Sequence, residues 1–217
     1  MVSVQRSNPF QDPVLAARYQ GWYAGSGLAS VRPERSLLRW VLAHFPAPAT
    51  LLEVGCGTGE FTRWFRHEGL RTFGVDASWP MLAEARRLDS GACACAEAEA
   101  LPFPDGAFDV TALVTTLEFV ASPIQVLREA CRVARRGLVL GVINRTSLVG
   151  RRYRRTGGLW DAARFFAPGE LKEAVLEAVG PDADITWRTT LWPWFERSLP
   201  LPWGGFIGMA VVVAYRR

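Results

Sequence analysis

The stretch Leu51-Leu52-Glu53-Val54-Gly55-Cys56-Gly57-Thr58-Gly59-Glu60-Phe61 gathers three glycines and two acids at one turn. Glycines there permit positive φ and let a ligand approach bare backbone. A helix starting near Thr58 adds unpaired N–H groups facing whatever binds. The alternative reading of the turn alone is a bend that binds nothing. Asp76 shifts that balance. It lies about 20 residues beyond Gly55, where dinucleotide-binding folds place an acid that accepts hydrogen bonds from ribose hydroxyls; its competing role is a cap on the next helix. Nicotinamide and flavin fingerprints space their glycines G-x-G-x-x-G, so that a pyrophosphate rests on the helix N-terminus. Here Gly55, Gly57 and Gly59 give G-x-G-x-G, with Glu53 two residues ahead. A carboxylate there repels a pyrophosphate and can hold an ammonium group. S-adenosylmethionine carries an amino-acid tail and a sulfonium but no phosphate, so spacing and acid both favour it.

These residues need a scaffold, and the pattern around them supplies one. Apolar runs at Thr50–Val54, Arg71–Val75, Ala92–Ala96, Phe108–Val114 and Gly137–Ile143 read as strands. Helical spacing at Arg35–Phe45, after Thr58, from Ser78 to Leu88, at Ile124–Val133 and at Pro168–Val179 fills the gaps. Strands alternating with helices imply a parallel sheet covered on both faces. Ile185–Leu191 and Phe206–Tyr215 follow with no helix between them, and read as an antiparallel pair closing the sheet edge. The expectation is an α/β, Rossmann-like, seven-stranded, mostly parallel sheet with an antiparallel last strand. All 217 residues are expected to form one domain: a helical cap segment (1–45), a cofactor-binding core (46–143) and acceptor-side elements with the closing strands (144–217).

Three segments carry a family resemblance. Leu52–Phe61 resembles motif I of the class I S-adenosylmethionine-dependent methyltransferases, and Gly74-Val75-Asp76-Ala77-Ser78 resembles their second motif. The run from Glu97 to Asp109 is similar to the D-A-E-x-L-P-F-x-D-x-x-F-D stretch of the ubiquinone/menaquinone-biosynthesis-like (type 11) branch, with Glu97 in place of the usual Asp. The resemblance implies that Gly55, Gly57 and Gly59 pass close to the methionine and ribose of S-adenosylmethionine, or of its product S-adenosylhomocysteine. It implies Asp76, with Ala77 beside it, on the ribose diol and Glu97 with Ala98 beside the adenine. Tyr19, Trp22 and Tyr23 resemble the Y-D-x-W-F segment that lies over the cofactor, with Gln20 where Asp is expected. Arg135-Arg136-Gly137-Leu138 departs from the usual K-P-G-G before the fifth strand. The family places acceptor-side residues after the fourth strand, here Thr115 to Val120. Thr115 opens that segment among the cofactor contacts, and Glu118 is the candidate base or orienting group, the alternative being a helix-entry or surface carboxylate.

Methyl transfer from a sulfonium is an in-line displacement, in which alignment supplies much of the acceleration and a base is needed only where the acceptor must lose a proton. A small-molecule acceptor is favoured. The alternatives are an RNA or protein acceptor, supported by Arg145, Arg151, Arg152, Arg154 and Arg155, and a non-catalytic protein that binds S-adenosylmethionine. Those arginines otherwise read as a solvated loop. Trp187, Trp192, Trp194, Phe195, Trp203 and Phe206 are candidates for acceptor-side walls or for core. His44 and His67 have no motif around them and read as surface residues. Cys56, Cys93, Cys95 and Cys131 lack zinc spacing, so no metal is expected. They read as small reduced thiols, as in a cytoplasmic protein. Met1–Phe10 lacks a signal-peptide core, Phe206–Tyr215 is too short to span a bilayer as a helix, and the net charge of +4 permits an anionic partner without requiring one.

Overall fold

The computed structural model describes residues 8–25, 28–190 and 197–213. Helices α1 (Pro13–Ala24) and α2 (Leu28–Leu42) precede an alternating series: β1 (Thr50–Val54), α3 (Glu60–His67), β2 (Arg71–Asp76), α4 (Trp79–Arg87) and β3 (Cys93–Cys95). It continues through β4 (Phe108–Val114), α5 (Pro123–Val133), β5 (Ala134–Ile143), α6 (Leu148–Thr156), α7 (Pro168–Val179), β6 (Asp184–Thr190), β7 (Ser198–Leu199) and β8 (Phe206–Val212). The strands form one sheet in the order β3-β2-β1-β4-β5-β8-β6-β7. The first five run parallel, and β8 lies antiparallel between β5 and β6.

The sheet therefore has eight strands rather than seven. The extra one is β7, which pairs Leu199 and Ser198 with Thr189 and Thr190 inside what reads in sequence as a proline-rich loop. Two residues are too short for any alternation to show. What fixes them is tertiary: the Thr189 hydroxyl donates to the Leu201 carbonyl at 2.7 Å. The segment after Arg145 also departs from expectation, since α6 is a helix and not a loop. Ser147 caps it by accepting from the Gly150 N–H at 2.9 Å, and Arg151, Arg152, Arg154 and Arg155 are exposed.

Successive strand residues point to opposite faces, and the two halves of the core follow from that. Leu52, Leu113, Leu138 and Leu140 pack with Val126 and Leu127 of α5 and Leu171 of α7 on one face. Leu51, Val110 and Val139 pack with Leu37 and Leu38 of α2 and Phe65 of α3 on the other. Trp187 packs against the first cluster and Phe206 lies within the second, so both are core. Trp203 is 58% exposed. Trp192, Trp194 and Phe195, with Leu191, Ala214 and Tyr215 of the expected strand ends, lie outside the described residues. The His44 ring rests on Trp40 and its Nδ1 lies 3.0 Å from the Trp40 carbonyl, which occupies it at the end of α2.

With β1 between β2 and β4, the connections on either side of it diverge, and a crevice opens at the carboxyl ends of these strands. Gly55 and Thr115 follow the ends of β1 and β4, and Asp76 is the last residue of β2. Within the stretch from Glu97 to Asp109, the part from Leu101 onward serves the scaffold. Asp109 sits at the opposite end of the sheet, where one carboxylate oxygen accepts from the Ala49 and Thr50 N–H groups at 2.8 and 3.0 Å. Arg132 of α5 fastens the preceding loop through the Phe103 and Leu101 carbonyls and Asp105.

Asn144 ties the end of β5 to the loop that follows β7. Fully buried at the end of β5, its amide donates to the Pro202 and Gly204 carbonyls at 2.8 and 2.7 Å, and its oxygen accepts from the Thr146 N–H at 3.0 Å. Each such bond contributes about 1 kcal/mol, and more where a buried partner is stranded. Asn144→Ala should lower unfolding stability by about 3 kcal/mol, seen as an earlier urea midpoint with an unchanged m-value.

Candidate active site

Gly55 begins the turn after β1 with φ +73°, and a Cβ there would fall 2.4 Å from Thr116 Cγ2. Thr116 is fixed by its own hydroxyl, which donates to the Val54 carbonyl at 2.9 Å. Neither strain nor crowding leaves room for a side chain. Gly57, by contrast, faces open space, and its N–H donates to Asp76 Oδ2 at 2.8 Å. The second Asp76 oxygen accepts from the Ser78 N–H, also at 2.8 Å. The carboxylate is thus aimed before any ligand arrives. Burial raises its pKa, against the pull of the two N–H groups. Ser78 caps α4 by accepting from the Met81 N–H, so cap and acid are adjacent residues with separate tasks.

Glu53 is only 2% exposed, and its carboxylate accepts a short hydrogen bond from the Thr62 hydroxyl of α3. Burial pushes its pKa up to about 8, which Thr62 opposes and the nearby Asp76 charge reinforces. Glu118 is 1% exposed, which overturns a surface role for it. Its Oε1 accepts from the Ile143 N–H at 2.7 Å, and its Oε2 is buried with no partner. Burial lifts this carboxyl to about 8 as well. Thr115, between β4 and Glu118, has φ +54° and donates to the Gly141 carbonyl at 2.7 Å. A non-glycine residue in that region costs on the order of 1–3 kcal/mol, so the chain bends sharply here at some expense.

The N-terminal elements cover these groups. The Gln11 amide donates to the Ala77 carbonyl at 3.0 Å, and the Ser78 hydroxyl to the Phe10 carbonyl at 2.6 Å. The Phe10 ring meets Tyr19 and Phe119 edge-on, at centroid distances of 5.8 and 4.9 Å. Gln20, which replaces an expected acid, accepts from the Thr58 hydroxyl at 2.9 Å and donates to Glu60 at 3.0 Å. It ties α1 to the glycine turn. Tyr19 is buried, which pushes its phenol up to about 12.

Two adjoining cavities result. A cleft of about 910 Å³ is lined by Glu53, Gly55, Gly57, Asp76, Ala77, Glu97, Ala98, Thr115, Glu118 and Tyr19. A smaller chamber of about 220 Å³ lies beneath α1, α2 and α6. Tyr19, Tyr23 and Thr115 line both. Two expected cleft residues are elsewhere. Trp22 lines the chamber, because a three-residue step along α1 carries it past the cleft that Tyr19 faces. Gly59 caps α3 with its Cα against Ser90, where a Cβ would fall 2.3 Å away. The α6 arginines and Trp203 line neither cavity. Phe10 and Glu34 line the cleft and the chamber respectively, and the sequence motifs pass over both. Among the described residues there is no group of His, Cys, Asp or Glu that could hold a metal, and no helix is long and apolar enough to cross a membrane.

A family model described as a methyltransferase domain matches residues 52–140, the strand-turn-acid core of this cleft. A ubiquinone biosynthesis O-methyltransferase of Burkholderia pseudomallei is 30% identical over 159 residues, covering 65% of this chain and 68% of that one. The chain belongs to the S-adenosylmethionine-dependent methyltransferases. An uncharacterized protein of Methanocaldococcus jannaschii shares 35% identity with this methyltransferase over 169 residues, 75% of this chain and 77% of the relative. Among solved structures, a Thermotoga maritima S-adenosylmethionine-dependent methyltransferase, described as a possible histamine N-methyltransferase, superposes with a TM-score of 0.75 at 26% identity. That match covers 92% of the methyltransferase and 96% of the Thermotoga chain.

The buried acids set a pH dependence. Glu53 and Glu118 of the folded methyltransferase hold protons up to about pH 8, whereas unfolded glutamates release them near pH 4.5. The folded state binds more protons throughout that window, so stability is greatest at its acidic end, falls as pH rises and levels off above about 8. Thermal unfolding without ligand from pH 5 to 9 should show this decline. Glu118→Gln should flatten it and raise Tm at pH 8.5.

Proposed function

We propose that the protein transfers a methyl group from S-adenosylmethionine, bound in the larger cleft, to a small-molecule acceptor held in the chamber. The observation that carries this reading is the junction: an acid-lined cleft and an aromatic chamber share Tyr19, Tyr23 and Thr115. The cleft suits the cofactor on its own features. Glu53 is a buried carboxylate available to an ammonium group, Gly57 leaves its backbone bare, and Asp76 is held with oxygens still able to accept ribose hydroxyls. Gly55 shapes the turn, Ala77 flanks the ribose, and Glu97 with Ala98 receives the adenine edge. When bound, the cofactor supplies a methyl group on a sulfonium. Tyr19 and Thr115 then confine it where the cavities meet, and Glu118, with one free oxygen, orients what faces it. Residues 46–143 carry the cofactor in this reading, and the segments on either side wrap the acceptor within a single domain.

The chamber's size favours a small molecule over RNA or protein. The basic face of α6, which would support a macromolecular acceptor, is turned away from both cavities. A non-catalytic binder of S-adenosylmethionine has no use for a second cavity at the cofactor's methyl end. The relatives' names include an O-methyltransferase and a possible N-methyltransferase, so the acceptor atom has to be read from the chamber itself.

Calorimetry with S-adenosylhomocysteine tests the cofactor reading. Hydrogen bonds to a charged group contribute roughly 1.5–3 kcal/mol each, so Asp76→Ala should weaken binding by about a hundredfold or more, with Asp76→Asn milder. Saturating S-adenosylhomocysteine should raise Tm by mass action, and NAD should not. A shift with NAD alone would end the methyltransferase reading, and unchanged affinity in Asp76→Ala would reduce that residue to a brace for the glycine turn.

A further inference from the structure

Glu34 stands on α2 among residues that belong to a core. Leu37, Leu38 and Val41 of the same helix are fully buried, and Pro33 and Glu34 line the chamber. The Glu34 carboxyl shares the chamber wall with Tyr19, Tyr23 and Tyr153. Burial, reinforced by the Glu118 charge, pushes its pKa up to about 8. Arg35 is the opposing cation, yet its guanidinium is engaged 2.5 Å from Glu60 on α3. A carboxylate in such surroundings is costly unless something pairs with it. The walls around it are rich in aromatic side chains. Tyr153 and Trp160 stack 4.2 Å apart with their planes 14° from parallel, and Trp22 and Phe206 complete the enclosure. Arg18, exposed to solvent, is the one cationic side chain among the described lining residues.

Given the methyl transfer proposed above, we propose that the acceptor is a small arylalkyl amine, protonated in solution, whose ammonium group is held by Glu34 among the chamber's rings and whose nitrogen is methylated. Aromatic faces attract cations through their quadrupoles, by about 2 kcal/mol or more when desolvated, and a carboxylate adds direct charge pairing. An anionic acceptor would meet Glu34 in the chamber, with Glu118 beyond it in the adjoining cleft. A neutral alcohol would leave Glu34 unpaired. At roughly 30 Å³ per water the chamber holds about seven waters, room for one ring and a short amine chain. The proton balance closes on the same residue. The ammonium gives one proton to the Glu34 carboxylate, which frees the nitrogen lone pair. The N–C bond forms as the S–C bond of the sulfonium breaks, with its electron pair remaining on sulfur. The product is the protonated secondary amine, and Glu34 returns its proton to solvent.

The test uses the complex with S-adenosylhomocysteine and three probes of similar shape: phenethylamine, 2-phenylethanol and phenylacetate. Binding is followed by calorimetry and by fluorescence of the chamber tryptophans. Phenethylamine should bind at least tenfold more tightly than 2-phenylethanol, with phenylacetate weakest. Glu34→Gln should abolish that preference while leaving affinity for S-adenosylhomocysteine unchanged, and Glu34→Asp should restore part of it. Labelled methyl from S-adenosylmethionine should appear on the amine nitrogen. If the Gln variant fails to fold, the ranking of probes on the wild type decides by itself. S-adenosylhomocysteine binding with no amine binding, or with the alcohol or acid preferred, overturns this inference and leaves the cofactor reading standing. Absence of S-adenosylhomocysteine binding by the wild type overturns both.

Discussion

The hydrogen bond from the Thr116 hydroxyl to the Val54 carbonyl joins the ends of two neighbouring parallel strands, and the rest of the site is arranged around it. It draws β4's exit against β1's exit so closely that Gly55 has no space for a side chain. The backbone must then turn with positive φ on the β1 side, at Gly55, and on the β4 side, at Thr115. The first bend aims Gly57 at Asp76. The second, at a residue that lines both cavities, leads on to Glu118 in the cleft wall. One polar contact between strand ends thus couples the floor of the cleft to the wall it shares with the chamber.

The site is assembled at a cost to stability. Glu53 and Glu118 are carried into an interior where charge is unfavourable, and each keeps a single side-chain hydrogen bond from the protein. Their pKa values are raised by that same burial. The large apolar clusters on both sheet faces offset it. So do well-satisfied structural polar groups such as Asn144 and Asp109, whose partners are all backbone or adjacent side chains. The contrast separates the two kinds of buried polar residue here. Asn144 and Asp109 have partners in backbone and neighbouring side chains, whereas Glu118 in the cleft wall keeps one oxygen without a partner.

What could be read from sequence was whatever lies close along the chain. The glycine turn, Glu53 ahead of it and Asp76 at the next strand end depend on local geometry that repeats wherever a strand meets a helix in this way. Alternating strand and helix patterns likewise carried the parallel sheet. Glu34 stayed hidden because Arg32-Pro33-Glu34-Arg35 looks like an ordinary charged surface, and only the packing of α2 beneath α1 and α6 turns the acid inward. Phe10 was passed over for a similar reason, since its partners are 68 residues away at Ser78 and farther still at Phe119. Tyr19 and Trp22 share one helix, but Tyr19 borders both cavities and Trp22 the chamber alone, a division that residue type cannot reveal. The arginine run hid a helix because its apolar side is narrow, although Ser147 as a cap was there to be noticed.

The short segment from Phe10 to Asp12 lies across the cleft and is fastened to the end of β2 by two hydrogen bonds, through Gln11 and Ser78. Bonds of this kind contribute about 1 kcal/mol each, so with the edge contacts of Phe10 the strap is held far more weakly than the sheet beneath it. It can lift without disturbing the core, as local openings do in proteins generally. The strap is also a wall of the cavity it closes. Opening this wall of the cleft requires parting those two hydrogen bonds and the Phe10 ring contacts, and leaves the strand pairing below intact.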